Sequence, residues 1–241
     1  MTFNEFLMES VNDKGVFKAL FLAGVPASGK SYIRQKLNTT ISPKNVNTDT
    51  FSRNYFGVAK EAYDIFGEVP MDIVDKSTHL TQKQLTLYID SMLPLVIDST
   101  SSNPSNLIKR NGILQGIGYD TGMVFVYTNL ETAKRRNAKR VEEGKGGVPE
   151  DFLEETHEKI VKMMAYYKEH FKFFKVINNN EDNASDIDLN SILKSIYSFY
   201  ISPIKNPIGD NIVNTLKVEN KKYISDFDPT ILNHIKGWYA S

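Results

Sequence analysis

Apolar and polar positions alternate along this chain in two different patterns. Five short segments, four of them apolar runs, are predicted to be strands. The longer segments between them place apolar residues three and four positions apart, which is typical of helices. The first run, VFKALFLA at 16–23, is almost continuously apolar and stops at Gly24, as expected for a strand that is buried on both faces. The predicted strands are 16–23, 45–48, 95–97, 123–127 and 173–177.

The segments between the strands are predicted to be helices. The helix at 149–171 begins with Pro149 followed by acidic residues, which suit the positive end of a helix dipole. The predicted helices are 30–37, 78–93, 104–117, 130–141, 149–171 and 185–200. The alternation of strand and helix indicates an α/β fold, in which helices cover both faces of a parallel sheet. Ligands of such sheets bind at the carboxyl ends of the strands.

The residues after position 200 break this pattern. Pro203, Pro207 and Gly209 interrupt them, and 231–238 is predicted to form one short helix. A chain of 241 residues is long enough for one well-filled core and short for two full domains. We therefore expect one domain over residues 1–200 and a C-terminal extension, residues 201–241, that packs against it.

Composition narrows the possible functions. The 29 basic and 29 acidic side chains give a formal net charge of zero, whereas a protein that wraps duplex DNA usually has a basic excess. The absence of cysteine excludes disulfides, a thiolate nucleophile and a zinc–thiolate site, and the four histidines show no metal-ligand spacing. No apolar run approaches the roughly 20 residues of a membrane span, and the N-terminus lacks the basic segment of a secretory signal. We therefore expect a cytoplasmic protein that makes no membrane contact.

The strongest chemical signal lies between the first predicted strand and the first predicted helix. Residues 24–31, GVPASGKS, match the phosphate-binding loop (P-loop) pattern G-x-x-x-x-G-K-[ST]. Such a loop turns its N–H groups inward at a helix N-terminus and holds the phosphates of a nucleoside triphosphate. Lys30 is predicted to reach the β- and γ-phosphates and Ser31 to bind Mg²⁺, and a glycine-rich turn without nucleotide is the alternative. The predicted nucleotide-binding residues are Gly24, Val25, Pro26, Ala27, Ser28, Gly29, Lys30, Ser31 and Tyr32.

Polar side chains follow the second and third predicted strands, at the sheet edge that carries this loop. Asp49 is a candidate general base and Arg53 a candidate for binding an acceptor phosphate, although Asp49 is also of the type that caps a helix. Asp98 ends an apolar strand, where a carboxylate commonly joins the hydration shell of Mg²⁺. Asp98 and Thr100 are also candidates for contacting the acceptor, and a strand-end turn is the alternative.

A basic helix followed by a glycine cluster is the last chemical signal. Its basic residues lie three or four positions apart, so several share one helix face. We predict a lid at about 134–149, with a mobile glycine-rich connection, that brings Arg136 and Arg140 over the transferring phosphates. Arg136 is also expected to contact the nucleotide. The alternative is a solvated basic face.

These motifs together resemble the P-loop kinases that include the polynucleotide 5′-hydroxyl kinases and the zeta-toxin family. The P-loop with Pro26 and Ser28 resembles both groups, and the similarity covers about residues 17–178. It implies a five-stranded sheet in the order 2-3-1-4-5, Asp49 as the general base and Arg136 as a phosphate-clamping arginine. The third strand ends Asp98-Ser99-Thr100, where the family commonly has Asp-Thr-Asn or Asp-x-Thr, and Arg53 is offset by one position from the arginine of the polynucleotide kinases.

The resemblance implies transfer of the γ-phosphoryl group of ATP or GTP to a hydroxyl, with Mg²⁺ as cofactor. The first candidate acceptor is the 5′-hydroxyl end of a nucleic acid. Three other acceptors remain open, namely a nucleotide sugar, as for zeta toxins, a hydroxymethylated base in phage-type DNA, and another small molecule. The N-terminal residues 3–9 resemble leader peptides of tailed-phage proteins, which suggests a phage origin. A nucleotide-binding assembly protein without catalysis is the alternative of another class, although a pure binder would need neither Asp49 nor the lid arginines.

Overall fold

Five parallel strands form the sheet at the centre of the protein. The computed structural model describes residues 13–38, 41–47, 50–51, 70–98, 103–144, 147–180 and 186–238. The strands are β1 (Lys18–Ala23), β2 (Lys44–Val46), β3 (Leu95–Asp98), β4 (Asp120–Tyr127) and β5 (Phe173–Asn178). They pair in the order β2-β3-β1-β4-β5, and every pairing is parallel. This order confirms the arrangement that the sequence resemblance implied.

Helices cover both faces of this sheet, as predicted. The described helices are α1 (Lys30–Asn38), α2 (Met71–Asp90), α3 (Pro104–Gly116), α4 (Leu130–Glu142), α5 (Glu150–His170), α6 (Asp186–Ile201), α7 (Pro207–Val218), α8 (Ile224–Phe227) and a 3₁₀ helix at Ile231–Gly237. Successive side chains of β1 point to opposite faces. Leu20 and Leu22 therefore pack with residues of α1 and α6, whereas Ala19 and Phe21 pack with residues of α2, α3 and α5. Burial of β1 on both faces explains its continuous apolar sequence.

Helix α2 begins at Met71, two turns earlier than the sequence predicted. Its buried stripe consists of Ile73, Ser77, Thr81, Leu85 and Ile89, which lie four residues apart. Because Ser77 and Thr81 are polar, the first half of this stripe does not form an apolar pattern in the sequence. Leu87, an apolar residue of the same helix, lies off this stripe, and its side chain is 67% exposed.

The C-terminal segment contains a helix that the sequence analysis missed. Pro207 and Gly209, which the sequence predicts to interrupt regular structure, belong to α7 itself. Pro207 occupies its first turn, where a missing N–H costs nothing, and the Asn206 side chain accepts a hydrogen bond from Ile208 N at 3.0 Å. Gly209 lies against Gly118, where a Cβ atom would be 2.2 Å from the Gly118 carbonyl oxygen.

A buried ion pair joins the residues after α6 to the amino ends of two strands. Lys18 Nζ donates to Asp120 Oδ2 at 2.6 Å and to the Pro203 carbonyl at 2.9 Å. The N–H of Lys205 donates to the same Asp120 oxygen at 2.8 Å. Burial lowers the pKa of Lys18, although the hydrogen bond to Asp120 opposes this effect. These bonds lie at the sheet edge opposite the P-loop. Across the described ranges, no helix has both the length and the hydropathy that a bilayer crossing requires.

Candidate active site

The P-loop connects β1 to α1 and adopts a tightly curled backbone. Gly24, Ala27 and Gly29 have φ values of 144°, 61° and 99°, which lie in or near the left-handed region that favours glycine. Ala27 is the exception among them, because it carries a side chain in this conformation. Among the described residues, the buried Ser28 hydroxyl has no hydrogen-bond partner. The loop therefore contains both backbone strain and an unsatisfied polar atom, two features that are common where a ligand binds.

The lysine of the loop folds back onto the loop itself. Lys30 Nζ donates to the carbonyl oxygens of Gly24 at 2.7 Å and Val25 at 2.9 Å. Ser31 and Tyr32 follow in the first turn of α1, where both side chains are exposed. The ammonium group of Lys30 thus lies within the loop, while the hydroxyl of Ser31 faces solvent beside it.

The other end of the loop rests on a residue that the sequence analysis missed. Asn179 directly follows β5, and its Nδ2 donates to the Ser28 carbonyl at 2.7 Å. A Cβ atom at Gly29 would lie 2.3 Å from the same Nδ2, so this contact requires glycine at position 29. The sequence gives no signal for it, because Asn179 lies in a polar loop 151 residues from Ser28.

Asp98 lies at the carboxyl end of β3 and is already engaged by two other side chains. Its Oδ2 accepts hydrogen bonds from Arg34 Nη1 at 2.9 Å and Asn47 Nδ2 at 3.3 Å. Arg34 belongs to α1, one turn after Lys30, and that spacing was the only available sign of its position. The predicted Asp49, Arg53 and Thr100 lie outside the described residues.

The predicted lid forms helix α4 and a connection that returns to α5. Asn137 holds this connection with two hydrogen bonds, since its Nδ2 donates to Val148 O at 2.8 Å and its Oδ1 accepts from Val148 N at 3.0 Å. Lys134 pairs with Glu150 at 2.8 Å and also with Glu154. Hydrogen bonds to these two carboxylates raise the pKa of Lys134. The end of the connection next to α5 is therefore fastened to α4. Residues 145–146 lie outside the described residues.

The two lid arginines are half-buried on α4. Arg136 Nη1 donates to the Asn179 carbonyl at 2.9 Å, so it reaches the residue that also supports the P-loop. Arg140 lies one turn further along the helix, on the same face. The fold thus brings both Arg136 and the P-loop into contact with Asn179.

The residues of this site fit a nucleoside triphosphate. The curled loop lies at the N-terminus of α1, where backbone N–H groups suit an anion. The Lys30 ammonium and the Ser28 hydroxyl, which has no partner among the described residues, are further donors suited to an anion. For Mg²⁺, the available side chains are the Ser31 hydroxyl and the Asp98 carboxylate. Within the described part of the chain, no cluster of three or more His, Asp or Glu side chains is arranged to hold a metal. This sparse set still fits Mg²⁺, which commonly takes one or two protein ligands and completes its shell with phosphate and water.

Comparison with known protein families gives a match over most of the chain. The family model described as Zeta toxin matches residues 9–192, which is most of the chain and includes the P-loop, the lid and all five strands. The chain belongs to the Zeta toxin family. No curated protein shows significant similarity to this sequence.

Solved structures share the fold at low sequence identity. A proposed kinase from Chloroflexus aurantiacus j-10-fl gives a TM-score of 0.53 at 14% identity, over 76% of this chain and 98% of that chain. The PezAT chromosomal toxin–antitoxin system of Streptococcus pneumoniae gives 0.52 at 15% identity, over 81% and 95%. The Pnkp1/Rnl/Hen1 RNA repair complex gives 0.49 at 21% identity, over 67% and 49%, which is too slight a likeness to identify an acceptor.

Family and fold together make this Zeta toxin family member a P-loop phosphotransferase. The predictions of an α/β P-loop fold and of an enzyme that transfers phosphoryl groups are confirmed. The roles of the individual side chains and the identity of the acceptor stay predictions.

Proposed function

We propose that this protein transfers the γ-phosphoryl group of ATP or GTP to a hydroxyl group, first of all the 5′-hydroxyl end of a nucleic acid. The observation that supports phosphoryl transfer most directly is the position of Lys30, whose Nζ lies 2.7 Å from Gly24 O inside the P-loop. The triphosphate would replace these carbonyls as the partner of the ammonium group. Lys30 would then bridge the β- and γ-phosphates.

The chain supplies a general base and positive charge for this reaction. The acceptor hydroxyl gives its proton to the Asp49 carboxylate while its oxygen forms a bond to the γ-phosphorus. The bond between that phosphorus and the β–γ bridging oxygen breaks, and the nucleoside diphosphate leaves. Arg136 and Arg140 stabilise the charge on the transferring group. Ser31 and Asp98 would hold Mg²⁺, which when bound neutralises part of the phosphate charge.

A second acceptor is favoured by the family to which the chain belongs. The match to the Zeta toxin model supports a nucleotide sugar, the acceptor that the sequence resemblance implied for that family. Both candidates carry phosphates close to the reacting hydroxyl. Arg53, the predicted phosphate-binding residue, and Lys139 of the lid helix suit either acceptor.

A transfer screen tests the proposal. Wild-type protein and a Lys30→Ala variant are incubated with γ-labelled ATP and, in turn, 5′-hydroxyl DNA, 5′-hydroxyl RNA, DNA with hydroxymethylated bases and nucleotide sugars. We expect label on a 5′-hydroxyl end with the wild type alone. Label on nucleotide sugars alone would support the second acceptor instead. Intact nucleotide binding with no labelled product and no hydrolysis would overturn the kinase proposal in favour of a non-catalytic role.

Salt dependence separates a strand end from a small acceptor. A single strand contributes a slope of about −0.7 in log affinity against log salt for each neutralised phosphate, so two to four contacts give roughly −1.5 to −3. We expect the KM of a 5′-hydroxyl oligonucleotide to rise between about 50 and 300 mM salt, and a Lys139→Glu/Lys145→Glu variant to flatten this rise. A KM that is equal for oligonucleotide and single nucleoside, and flat across salt, would contradict the nucleic-acid acceptor.

A further inference from the structure

Asn179 contacts the P-loop with its side chain and the lid with its main chain. Its Nδ2 donates to the Ser28 carbonyl at 2.7 Å, and its carbonyl oxygen accepts from Arg136 Nη1 at 2.9 Å. Its own N–H donates to Tyr127 O at 2.8 Å, which extends the β4–β5 pairing by one residue. The Thr128 hydroxyl donates to the Asn179 carbonyl at 3.0 Å. The residue is therefore fixed by the sheet and connects two parts of the site.

The side-chain bond sets the orientation of one peptide in the P-loop. In a trans peptide, the C=O of one residue and the N–H of the next point in opposite directions. Because the Ser28 carbonyl points toward Asn179, the N–H of Gly29 points away from it. The close approach at Gly29, where a Cβ atom would lie 2.3 Å from Nδ2, leaves little freedom for this peptide to turn. Asn179 thus holds the Ser28–Gly29 peptide, which lies one residue before Lys30.

The Asn179 carbonyl holds Arg136 of the lid helix α4, and the next residue, Asn180, holds the start of the same helix. Asn180 Oδ1 accepts from the N–H of Asn129, the cap of α4, and the Asn180 carbonyl accepts from the Thr132 hydroxyl at 2.9 Å. The first turn of α4 is thereby fastened to Asn180, two residues after the end of β5. Arg136 is the member of this helix that reaches Asn179 itself.

We propose that Asn179 is a positioning residue that couples the geometry of the P-loop to the placement of Arg136. This inference rests on the proposed phosphoryl transfer, because only that reaction needs both groups at one phosphate. A loss of the Asn179 amide frees the Ser28–Gly29 peptide and alters the position of the loop relative to Arg136. Displacements of about 1 Å in such a site can reduce turnover by about 10²-fold.

Three substitutions and one double variant test the coupling. Asn179→Ala removes the amide, Asn179→Asp replaces it with a group of the same shape, and Asn178→Ala changes the exposed neighbour at the end of β5 as the matched control. We expect Asn179→Ala to lower kcat by about 10–100-fold and Asn178→Ala to lower it less than about twofold. In an Arg136→Ala background, the same Asn179→Ala change should cost less than about threefold, since coupled positions are not additive.

The pH profile of Asn179→Asp distinguishes positioning from a general structural role. A carboxylate cannot donate to the Ser28 carbonyl, whereas a protonated carboxyl group can. Activity of this variant relative to wild type should therefore rise as the pH falls toward 5, and Asn179→Ala should show no such recovery. Equal losses in both Arg136 backgrounds, or an Asn179→Asp profile parallel to that of Asn179→Ala, would overturn the proposal.

Binding of a non-hydrolysable ATP analogue tests the role of Asn179 separately from the proposed phosphoryl transfer. Calorimetry with the analogue needs no acceptor and reports nucleotide binding without the transfer step. We expect Asn179→Ala to weaken binding by about 3–10-fold, the worth of one hydrogen bond, while Asn178→Ala does not. A wild type that binds the analogue and shows no transfer or hydrolysis would refute the proposed function. Unchanged analogue affinity in Asn179→Ala would refute the role of Asn179 independently of that result.

Discussion

Arg34 Nη1 donates to Asp98 Oδ2 at 2.9 Å and so joins the P-loop helix to the carboxyl end of β3. The Arg34 side chain is 26% exposed and that of Asp98 only 7%, so the pair is partly shielded from water. The sequence suggested that Asp98 serves Mg²⁺, the acceptor or both. The ion pair adds a third role, because it holds α1, which carries Lys30 and Ser31, against the strand next to β1.

Two single variants of this pair separate the metal role of Asp98 from its structural role. Asp98→Asn should raise the Mg²⁺ concentration for half-maximal activity by about 10–100-fold if the carboxylate orients the metal shell. Arg34→Met breaks the ion pair and leaves the carboxylate, so the Mg²⁺ requirement should change little. Both variants should lose about 1–2 kcal/mol of unfolding free energy in urea titrations. An unchanged Mg²⁺ requirement in Asp98→Asn would leave Asp98 with the ion pair alone.

The sequence predicted the parts of the fold and site whose residues are adjacent in the chain. The apolar run of β1 and the GVPASGKS motif after it are adjacent in the chain, and together they indicated both the fold and the nucleotide site. The start of α2 was missed because Ser77 and Thr81 occupy buried positions on its stripe, where apolar residues were expected. Helix α7 was missed because Pro207 suggests an interruption, although it is favourable in a first turn.

The supporting residues of the site could not be predicted in this way. Asn179 reaches Ser28 across 151 positions, and Asp98 reaches Arg34 across 64. Such contacts depend on the order of the strands and not on local spacing. Asparagine is also common in polar loops and turns, so Asn179 carried no distinguishing signal.

The strained backbone of the P-loop predicts a stabilising substitution. Ala27 has a φ of 61°, which costs a residue with a side chain about 1–2 kcal/mol relative to the ordinary helical region. Ala27→Gly removes this cost and adds flexibility to the unfolded chain, so the free energy of unfolding should rise by about 0.5–1 kcal/mol. Denaturant midpoints measure the change. Ala165→Gly, at an exposed position within α5, is the matched control and should lower stability by about 1 kcal/mol. Two losses of equal size would contradict the strain at Ala27.

The proposed general base predicts a change in turnover without a change in stability. Asp49→Asn keeps the size and capping ability of the side chain and removes its capacity to accept a proton. Since a general base typically contributes about 10²–10⁴-fold, kcat should fall by that order while the affinity for nucleotide stays the same. Asp75→Asn, an exposed change on α2, should leave kcat as in the wild type. A variant at Asp49 that unfolds at lower denaturant but keeps its turnover would show that Asp49 only caps a helix.

A buried tyrosine predicts how stability changes in alkali. Tyr200 donates to the Leu95 carbonyl at 2.7 Å, and burial raises its pKa far above the ordinary value near 10. Above pH 10 the unfolded chain loses this proton and the folded chain keeps it, so the unfolding free energy falls by about 1.4 kcal/mol per pH unit for this group. Tyr200→Phe should lessen that slope by the same amount in urea titrations between about pH 10.5 and 11.5, whereas Tyr223→Phe, at a tyrosine that is 41% exposed, should not. Lys18, with its lowered pKa, contributes a rise with pH up to about 10.5, but it is present in all three proteins and cancels in the comparison. Identical slopes in wild type and Tyr200→Phe would mean that the Tyr200 hydroxyl ionises equally in the folded and unfolded chain.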